Sequence, residues 1–150
     1  MIWTKEIDSE FLATILREHP AKLTLCSPGG DVGIMLGALD YFTANPTNIR
    51  ATGFVASAAI PILALGNPRC ATPRTTFMVH LAQATVEGNT TDVVREGSAL
   101  EGIEEVYWSV LEKRTKKSAK WWANKCSAAS WYFSAAEALK LGLIDKIVVD

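Results

Sequence analysis

Cysteine, histidine and long apolar runs are scarce in this chain of 150 residues. Its 3 cysteines, Cys26, Cys70 and Cys126, are odd in number and irregularly spaced, which fits neither a disulfide framework nor a zinc site. The longest apolar run, 54–65, is too short to cross a bilayer. The N-terminus lacks the basic segment and apolar core of a secretory signal. We therefore expect a cytoplasmic protein without a metal site.

Neither sign of charge dominates the composition. The chain has 15 basic and 16 acidic residues and a formal net charge of −1, so neither nucleic acid nor an anionic membrane is expected as a partner. A chain of 150 residues that is 49% hydrophobic can bury one core. Because no repeat, low-complexity tract or long linker divides it, we expect a single domain over residues 1–150.

Apolar residues at helical spacing alternate with β-rich segments along the chain. Helices are predicted over 7–17, 32–42, 57–66, 91–114 and 134–142, and strands over 22–26, 49–55, 75–81 and 143–149. A capping box from Ser134 to Glu137 marks the start of the last helix, and Gly142 marks its end. The alternation predicts an α/β domain with mainly parallel strands.

Ser57 lies where a predicted strand meets a predicted helix, in the segment GFVASAAI at 53–60. A serine becomes a nucleophile when a base accepts its proton, and His80 is the better placed of the 2 histidines. The amide of Ala58 and an amide of the Gly29–Gly30 turn could stabilise an oxyanion. Each feature also has a structural explanation, because serine commonly packs or caps a helix, Pro-Gly-Gly is commonly a turn, and the GxSxG elbow is absent. The residues alone leave a serine hydrolase and a packing role open.

Four blocks follow one another along the chain: SPGG at 27–30, GFVASAA at 53–59, MVHLA at 78–82 and FSAAEALKLGLID at 133–145. Together they resemble the proteolytic subunit of the Clp protease, including the short phage-encoded forms. The resemblance implies a crotonase-like α/β spiral fold. It also implies a serine endopeptidase that cleaves peptides or unfolded proteins inside a chamber formed by one ring of protomers or by two stacked rings.

The resemblance also implies a role for each matching residue. Ser57 would be the nucleophile, His80 the base, and the amides of Gly30 and Ala58 the oxyanion donors. The peptide would bind as an extended strand beside Gly29 and Gly30. No metal or organic cofactor is implied, and a separate hexameric ATPase would deliver folded substrates. The predicted helix at 91–114 corresponds to the region where two rings meet, although its apolar stripe could equally be core packing.

The chain departs from the family pattern at the third catalytic position. Where the family has an acid, this sequence has Ser130, and there is no acid from 127 to 133. Three explanations stay open: a Ser-His dyad or Ser-His-Ser arrangement, an acid from elsewhere such as Glu137 or a neighbouring protomer, or a degenerate subunit. The capping box already accounts for Glu137. We expect weak but real activity.

A second departure is at the N-terminus. The resemblance starts at Ile2, so we expect the axial loop and first helix of the standard subunit to be missing, which argues against the ATPase partner and favours a phage-type particle. The competing hypothesis is an inactive, structural subunit of a ring or shell. A crotonase-type acyl-thioester enzyme would share the fold, but it would not require the serine and histidine at these blocks.

Overall fold

A computed structural model describes residues 1–149 of the chain. In chain order the elements are β1 (Ile2–Trp3), α1 (Ser9–Glu18), β2 (Lys22–Ser27), α2 (Val32–Ala44), β3 (Asn48–Ala56), α3 (Ala59–Ala64), β4 (Arg69–Ala71), β5 (Thr76–Val79), α4 (Thr90–Arg114), α5 (Ala119–Lys125), β6 (Trp131–Ser134), α6 (Ala135–Leu141) and β7 (Lys146–Ile147). The predicted alternation of strands and helices is confirmed.

The strands form one mixed 7-stranded sheet. Its main path runs β1-β2-β3-β4-β7, and every pair along that path is parallel. Strand β5 leaves this path: it pairs in parallel with β3 beyond the end of β4, and antiparallel with β6 on its other side. The chain is therefore a single α/β domain with mainly parallel strands, as predicted, and its architecture is consistent with the crotonase-like fold.

Helix α3 lies in the centre of the core, and all of its residues are buried. Pro61 fits there because it lies in the first turn, where its missing N–H has no helical partner to lose. The core around this helix is completed by large side chains from α1, the sheet and the second half of α4, including Phe11, Leu25, Phe77 and Leu111. The buried helix predicted at 57–66 is confirmed, although it is shorter at both ends.

The last predicted strand is also shorter than expected. Residues 143–149 were predicted as a strand, but only Lys146–Ile147 pair with the sheet. The preceding residues complete the end of α6 instead: Gly142 adopts a left-handed conformation at φ 76°, and the amide of Leu143 donates to the carbonyl of Ala138. Asp145 then binds Arg69 at 2.9 Å and fixes β7 beside β4.

Helix α4 divides into two halves that differ in burial. Residues 90–99 are all exposed, whereas Tyr107, Trp108 and Leu111 are buried. The predicted apolar stripe is therefore core packing only toward its C-terminal end. Val93 and Val94, in the N-terminal half, are 45% and 62% exposed. Across residues 1–149, no helix has both the length and the apolar character that a membrane span requires.

Candidate active site

Ser57 occupies a sharp turn between β3 and α3. Its φ of 52° lies in the left-handed region, which few residues other than glycine adopt. Its amide donates to the carbonyl of Met78 at 2.9 Å, so the turn is tied to β5. We predicted Ser57 as the first residue of a helix, and this placement is wrong. The left-handed turn reverses the chain first, so α3 begins only at Ala59, after Ala58 as its cap residue.

The structure brings Ser57 and His80 together. Strand β5 lies parallel to β3 with Ala56 opposite Met78, so the residues that follow the two strands meet at the same edge of the sheet. Oγ of Ser57 lies 2.7 Å from Nε2 of His80, and both side chains are half-buried. This is the distance at which a proton can pass from a hydroxyl to an imidazole.

The hydroxyl of Tyr107 also holds the serine turn. It donates to the carbonyl oxygen of Ser57 at 3.0 Å. Burial raises the pKa of Tyr107 well above its ordinary value, with a smaller contribution from Cys126, so the hydroxyl stays a neutral donor. The sequence placed Tyr107 only in an apolar stripe, and no local signal revealed this contact, because the two residues are far apart in the chain.

The glycine turn at 27–30 packs directly against the back of the serine turn. A Cβ built on Gly29 would lie 2.6 Å from Cβ of Ser57 and 3.0 Å from the amide nitrogen of Ala58. Hydrogen bonds fix the turn from both sides, since Ser27 Oγ accepts from the amide of Gly29 at 3.2 Å and the Gly29 carbonyl accepts from the amide of Ile7 at 2.8 Å.

Two amides beside Ser57 are left available for a ligand. In the described residues, the N–H groups of Gly30 and Ala58 donate no hydrogen bond. Both belong to segments that touch, because Gly29 contacts the Ser57–Ala58 peptide. Unpaired amides next to a nucleophile can stabilise negative charge on a carbonyl oxygen.

Ser130 lies beside His80 without binding it. Val79 pairs with Trp131 in the antiparallel β5–β6 ladder, so His80 and Ser130 are the next positions along the two strands. The two residues also border the same shallow pocket, together with Cys126. However, Nδ1 of His80 forms no hydrogen bond within residues 1–149. The role of Ser130 as a third member stays a prediction.

The Glu137 carboxylate is hydrogen-bonded to Ser134 and is not available to His80. Its carboxylate accepts hydrogen bonds from the backbone amide and the hydroxyl of Ser134, at 2.7 Å and 3.0 Å. These contacts, the backbone one first, lower the pKa of Glu137. The predicted capping box is confirmed. It holds the carboxylate at the start of its own helix, which leaves no acid from this helix for His80.

A pocket opens beside the serine and histidine. Its lining comprises residues from α2, the serine turn, the segment after β5 and α4: Val32, Met35, Ser57, Ala58, His80, Ala82, Ile103, Glu104, Tyr107 and Trp108. Glu104 is half-buried, and its Oε1 accepts a hydrogen bond from the amide of Ala82 at 2.6 Å. No sequence signal distinguishes Glu104, because it lies among other charged residues in a long helix.

Within residues 1–149, the cysteines and acidic residues do not form a metal site. Cys26, Cys70 and Cys126 are free thiols. Burial raises the pKa of both Cys70 and Cys126, which favours the protonated thiols. In the part of the chain that the structure describes, no group of three or more His, Cys, Asp or Glu side chains could hold a metal ion.

Comparison with known proteins gives the family of this chain. The family model described as Clp protease matches residues 10–150. The ATP-dependent Clp protease proteolytic subunit 2 of Gluconobacter oxydans is 31% identical over 137 residues, which cover 87% of this chain and 61% of that protein. The proteolytic subunit 1 of Streptomyces avermitilis is 28% identical over 130 residues, 84% of this chain and 59% of that protein. The chain thus spans about three fifths of the length of these relatives. It belongs to the Clp protease family.

Proposed function

We propose that this protein is a serine endopeptidase in which Ser57 is the nucleophile and His80 the general base. The observation that carries the proposal is the 2.7 Å contact between Ser57 Oγ and His80 Nε2. It is formed by a serine whose backbone is held in a strained left-handed turn, with φ 52°. Strain of this kind is commonly found where a catalytic group must be presented to a substrate.

The reaction would begin with attack of Ser57 Oγ on a peptide carbonyl carbon while the hydroxyl proton moves to Nε2 of His80. The amides of Gly30 and Ala58 would donate to the oxyanion that forms. His80 would then give the proton to the leaving amine, so the peptide bond breaks and an acyl ester remains on Ser57. Water, deprotonated by the same imidazole, would hydrolyse that ester and restore the serine.

The substrate would bind as an extended strand along the glycine turn. Gly29 and Gly30 present backbone without side chains, so a peptide can approach closely and form main-chain hydrogen bonds. Because Gly29 also contacts the Ser57–Ala58 peptide, a strand bound there would hold its carbonyl near the nucleophile. Positioning of this kind lowers the barrier by fixing the reacting atoms before the reaction.

The absent acid would limit the rate. A triad acid stabilises the imidazolium, and losing it costs about four orders of magnitude in a serine protease. Ser130, beside His80, can orient the ring only as a neutral hydroxyl. We therefore propose a Ser-His dyad with low turnover.

The relatives named above are ATP-dependent proteolytic subunits, and we extend their chemistry to this chain as part of the proposal. Its substrates would be peptides or unfolded proteins. The protomers would form rings. The N-terminal half of α4, exposed over residues 90–99, would supply the contact between two rings.

A second candidate is a structural subunit of a ring or shell without protease activity. The observation that favours it is the lack of a hydrogen bond to Nδ1 of His80 within residues 1–149. An imidazole that is hydrogen-bonded through only one of its two nitrogens has a less defined orientation, which weakens it as a base.

Reaction with a fluorophosphonate probe would distinguish the two candidates. We expect one adduct per chain, located on Ser57 by mass spectrometry, no adduct in Ser57→Ala, and strongly slowed labelling in His80→Asn. His19→Asn is the matched control, because asparagine tolerates the left-handed conformation that His19 adopts at φ 44°. A folded protein, shown by circular dichroism and sedimentation, that gives no adduct after long exposure would refute the protease.

A further inference from the structure

The segment between β1 and α1 binds the glycine turn through its backbone. Ile7, which is fully buried, pairs with Gly30 in an isolated parallel bridge. The amide of Ile7 donates to the carbonyl of Gly29 at 2.8 Å, and the carbonyl of Ile7 accepts from the amide of Asp31 at 2.9 Å. A Cβ on Gly30 would clash with the Ile7 carbonyl oxygen. The bridge therefore depends on glycine at this position and holds the Gly29–Gly30 peptide against Ile7.

This contact sets the direction in which the Gly30 amide points. The carbonyl of Gly29 and the N–H of Gly30 belong to one trans peptide group, so they point in opposite directions. Because the carbonyl points toward Ile7, the N–H points away from it. A peptide between two glycines rotates readily, since neither residue has a side chain. The hydrogen bond from Ile7 therefore favours the one orientation that leaves the Gly30 N–H available to a ligand.

A tryptophan extends the same chain of hydrogen bonds by one peptide. Nε1 of Trp3 donates to the carbonyl of Glu6 at 2.9 Å. That carbonyl and the N–H of Ile7 again belong to one peptide group. The chain of hydrogen bonds thus begins at the Trp3 indole, passes through two peptide groups and ends at the N–H of Gly30, which has no acceptor within residues 1–149.

We propose that Trp3 is a positioning residue for the oxyanion donor. This inference rests on the proposed function, in which the amide of Gly30 donates to the oxyanion. Hydrogen bonds in a chain polarise one another, by about 10–30% per bond, so a donor to the first peptide strengthens the donor at the last one. Trp3 does not contact the substrate. It acts by holding the peptide of Ile7, which in turn holds the peptide of Gly30.

A test of this role has to remove the indole N–H and keep an aromatic ring. Trp3 is 6% exposed and its ring lies 5.1 Å from that of Phe11, so loss of the whole side chain would leave a cavity in the core. Trp3→Phe meets the requirement. Trp122→Phe is the matched control, because Nε1 of this buried tryptophan also donates one hydrogen bond, to Oγ1 of Thr115 at 3.0 Å, far from the glycine turn in the chain.

Fluorophosphonate labelling reports on the oxyanion donor, because the phosphoryl oxygen of the probe takes the place of the oxyanion. Ser57 Oγ attacks phosphorus, its proton passes to His80 and fluoride leaves. We expect Trp3→Phe to slow labelling about fivefold, which is less than the roughly hundredfold cost of losing a whole oxyanion donor. The pH at which labelling is half-maximal should stay unchanged, because the base is not affected.

Phosphorus NMR of the labelled protein gives a second measurement. The signal of the adduct on Ser57 should shift in Trp3→Phe, because the hydrogen bond to the phosphoryl oxygen weakens. Packing alone would not produce this shift. Trp122→Phe should keep both the labelling rate and the phosphorus signal of the unmodified protein.

A second variant keeps the test decisive if phenylalanine is too small for the fold. Benzothienylalanine has the size of tryptophan but carries sulfur in place of the indole N–H. A synthetic segment 1–25 with this residue at position 3 can be ligated to residues 26–150 at Cys26. Once circular dichroism shows that the ligated protein is folded, it should label as slowly as Trp3→Phe.

Four results would overturn the proposal, and they are distinguishable. Normal labelling and an unshifted phosphorus signal in both Trp3 variants would show that the indole only packs. Equal slowing in Trp122→Phe would trace the effect to a general loss of packing. A changed pH midpoint in the Trp3 variants would assign the effect to His80. Failure of the unmodified protein to label would refute the proposed protease itself, and the role of Trp3 with it.

Discussion

Replacement of Gly29 by alanine should displace Ser57 and so impair the candidate active site, because Gly29 packs against the serine turn. Gly29 has φ +101°, a conformation that strains any residue with a side chain, and its new Cβ would lie 2.6 Å from Cβ of Ser57 and 2.9 Å from the carbonyl oxygen of Ala56. The strain costs about 1–2 kcal/mol, and overpacking adds about 1–3 kcal/mol. We therefore expect the free energy of unfolding to fall by about 2–5 kcal/mol.

The same clash should affect the chemistry more than the fold. Relief of the contact requires the serine turn to move away from Gly29, and a displacement of about 1 Å in a reacting group can cost about a hundredfold in rate. We expect fluorophosphonate labelling of Ser57 to slow by about that factor in Gly29→Ala.

Urea unfolding followed by tryptophan fluorescence gives the stability, and the labelling rate gives the activity. Gly102→Ala is the control, because Gly102 is an exposed residue of α4 and its Cβ would meet nothing within 4 Å. It should gain about 0.5–1 kcal/mol in helix stability and label normally. If Gly29→Ala labels at the normal rate with normal stability, the glycine turn does not support the serine turn and our reasoning is wrong.

Two further substitutions test the surroundings of the dyad. Tyr107→Phe removes the hydrogen bond to the Ser57 carbonyl, so we expect about 1 kcal/mol less stability and labelling slowed by several fold. A stability loss with normal labelling, measured by the same two assays, would mean that Tyr107 only packs. Ser130→Asp places a carboxylate beside His80, so labelling of Ser57 should become at least tenfold faster. This increase should be lost when the pH falls far enough to protonate the new aspartate. An unchanged rate would show that position 130 does not face the imidazole.

Much of the fold could be predicted because its signals are local. The capping box at Ser134 and the left-handed Gly142 set the two ends of α6, and both are read directly from residue types. The dyad could be predicted from the family blocks, because each block places one residue just after a strand. Parallel pairing of β3 with β5 then brings Ser57 and His80 to one edge.

The features that could not be predicted depend on contacts between distant segments. Strand β6 is only Trp131–Ser134, and nothing in four residues shows that they pair antiparallel to β5. Helix α5, over Ala119–Lys125, is similarly short. Glu104 and Tyr107 reach the site because α4 packs across α3, and helical spacing alone does not show which face of α4 meets the serine turn.

Under the proposed function, placement of the nucleophile and charge compensation of the base, which a complete triad combines, are separate contributions in this protein. The position of Ser57 is fixed by the hydrogen bond that its amide donates to the Met78 carbonyl, by the hydroxyl of Tyr107 and by the contact with Gly29, none of which involves the absent acid. Charge compensation of His80 is what the acid would have added. Preorganised positioning and oxyanion donors retain about 10³–10⁴-fold catalysis even when triad members are removed. Fluorophosphonate labelling tests both contributions, because it needs a placed nucleophile and a base. Loss of labelling in Gly29→Ala together with a gain in Ser130→Asp would therefore show that placement is intact in this protein and that the charge on the imidazole limits its rate.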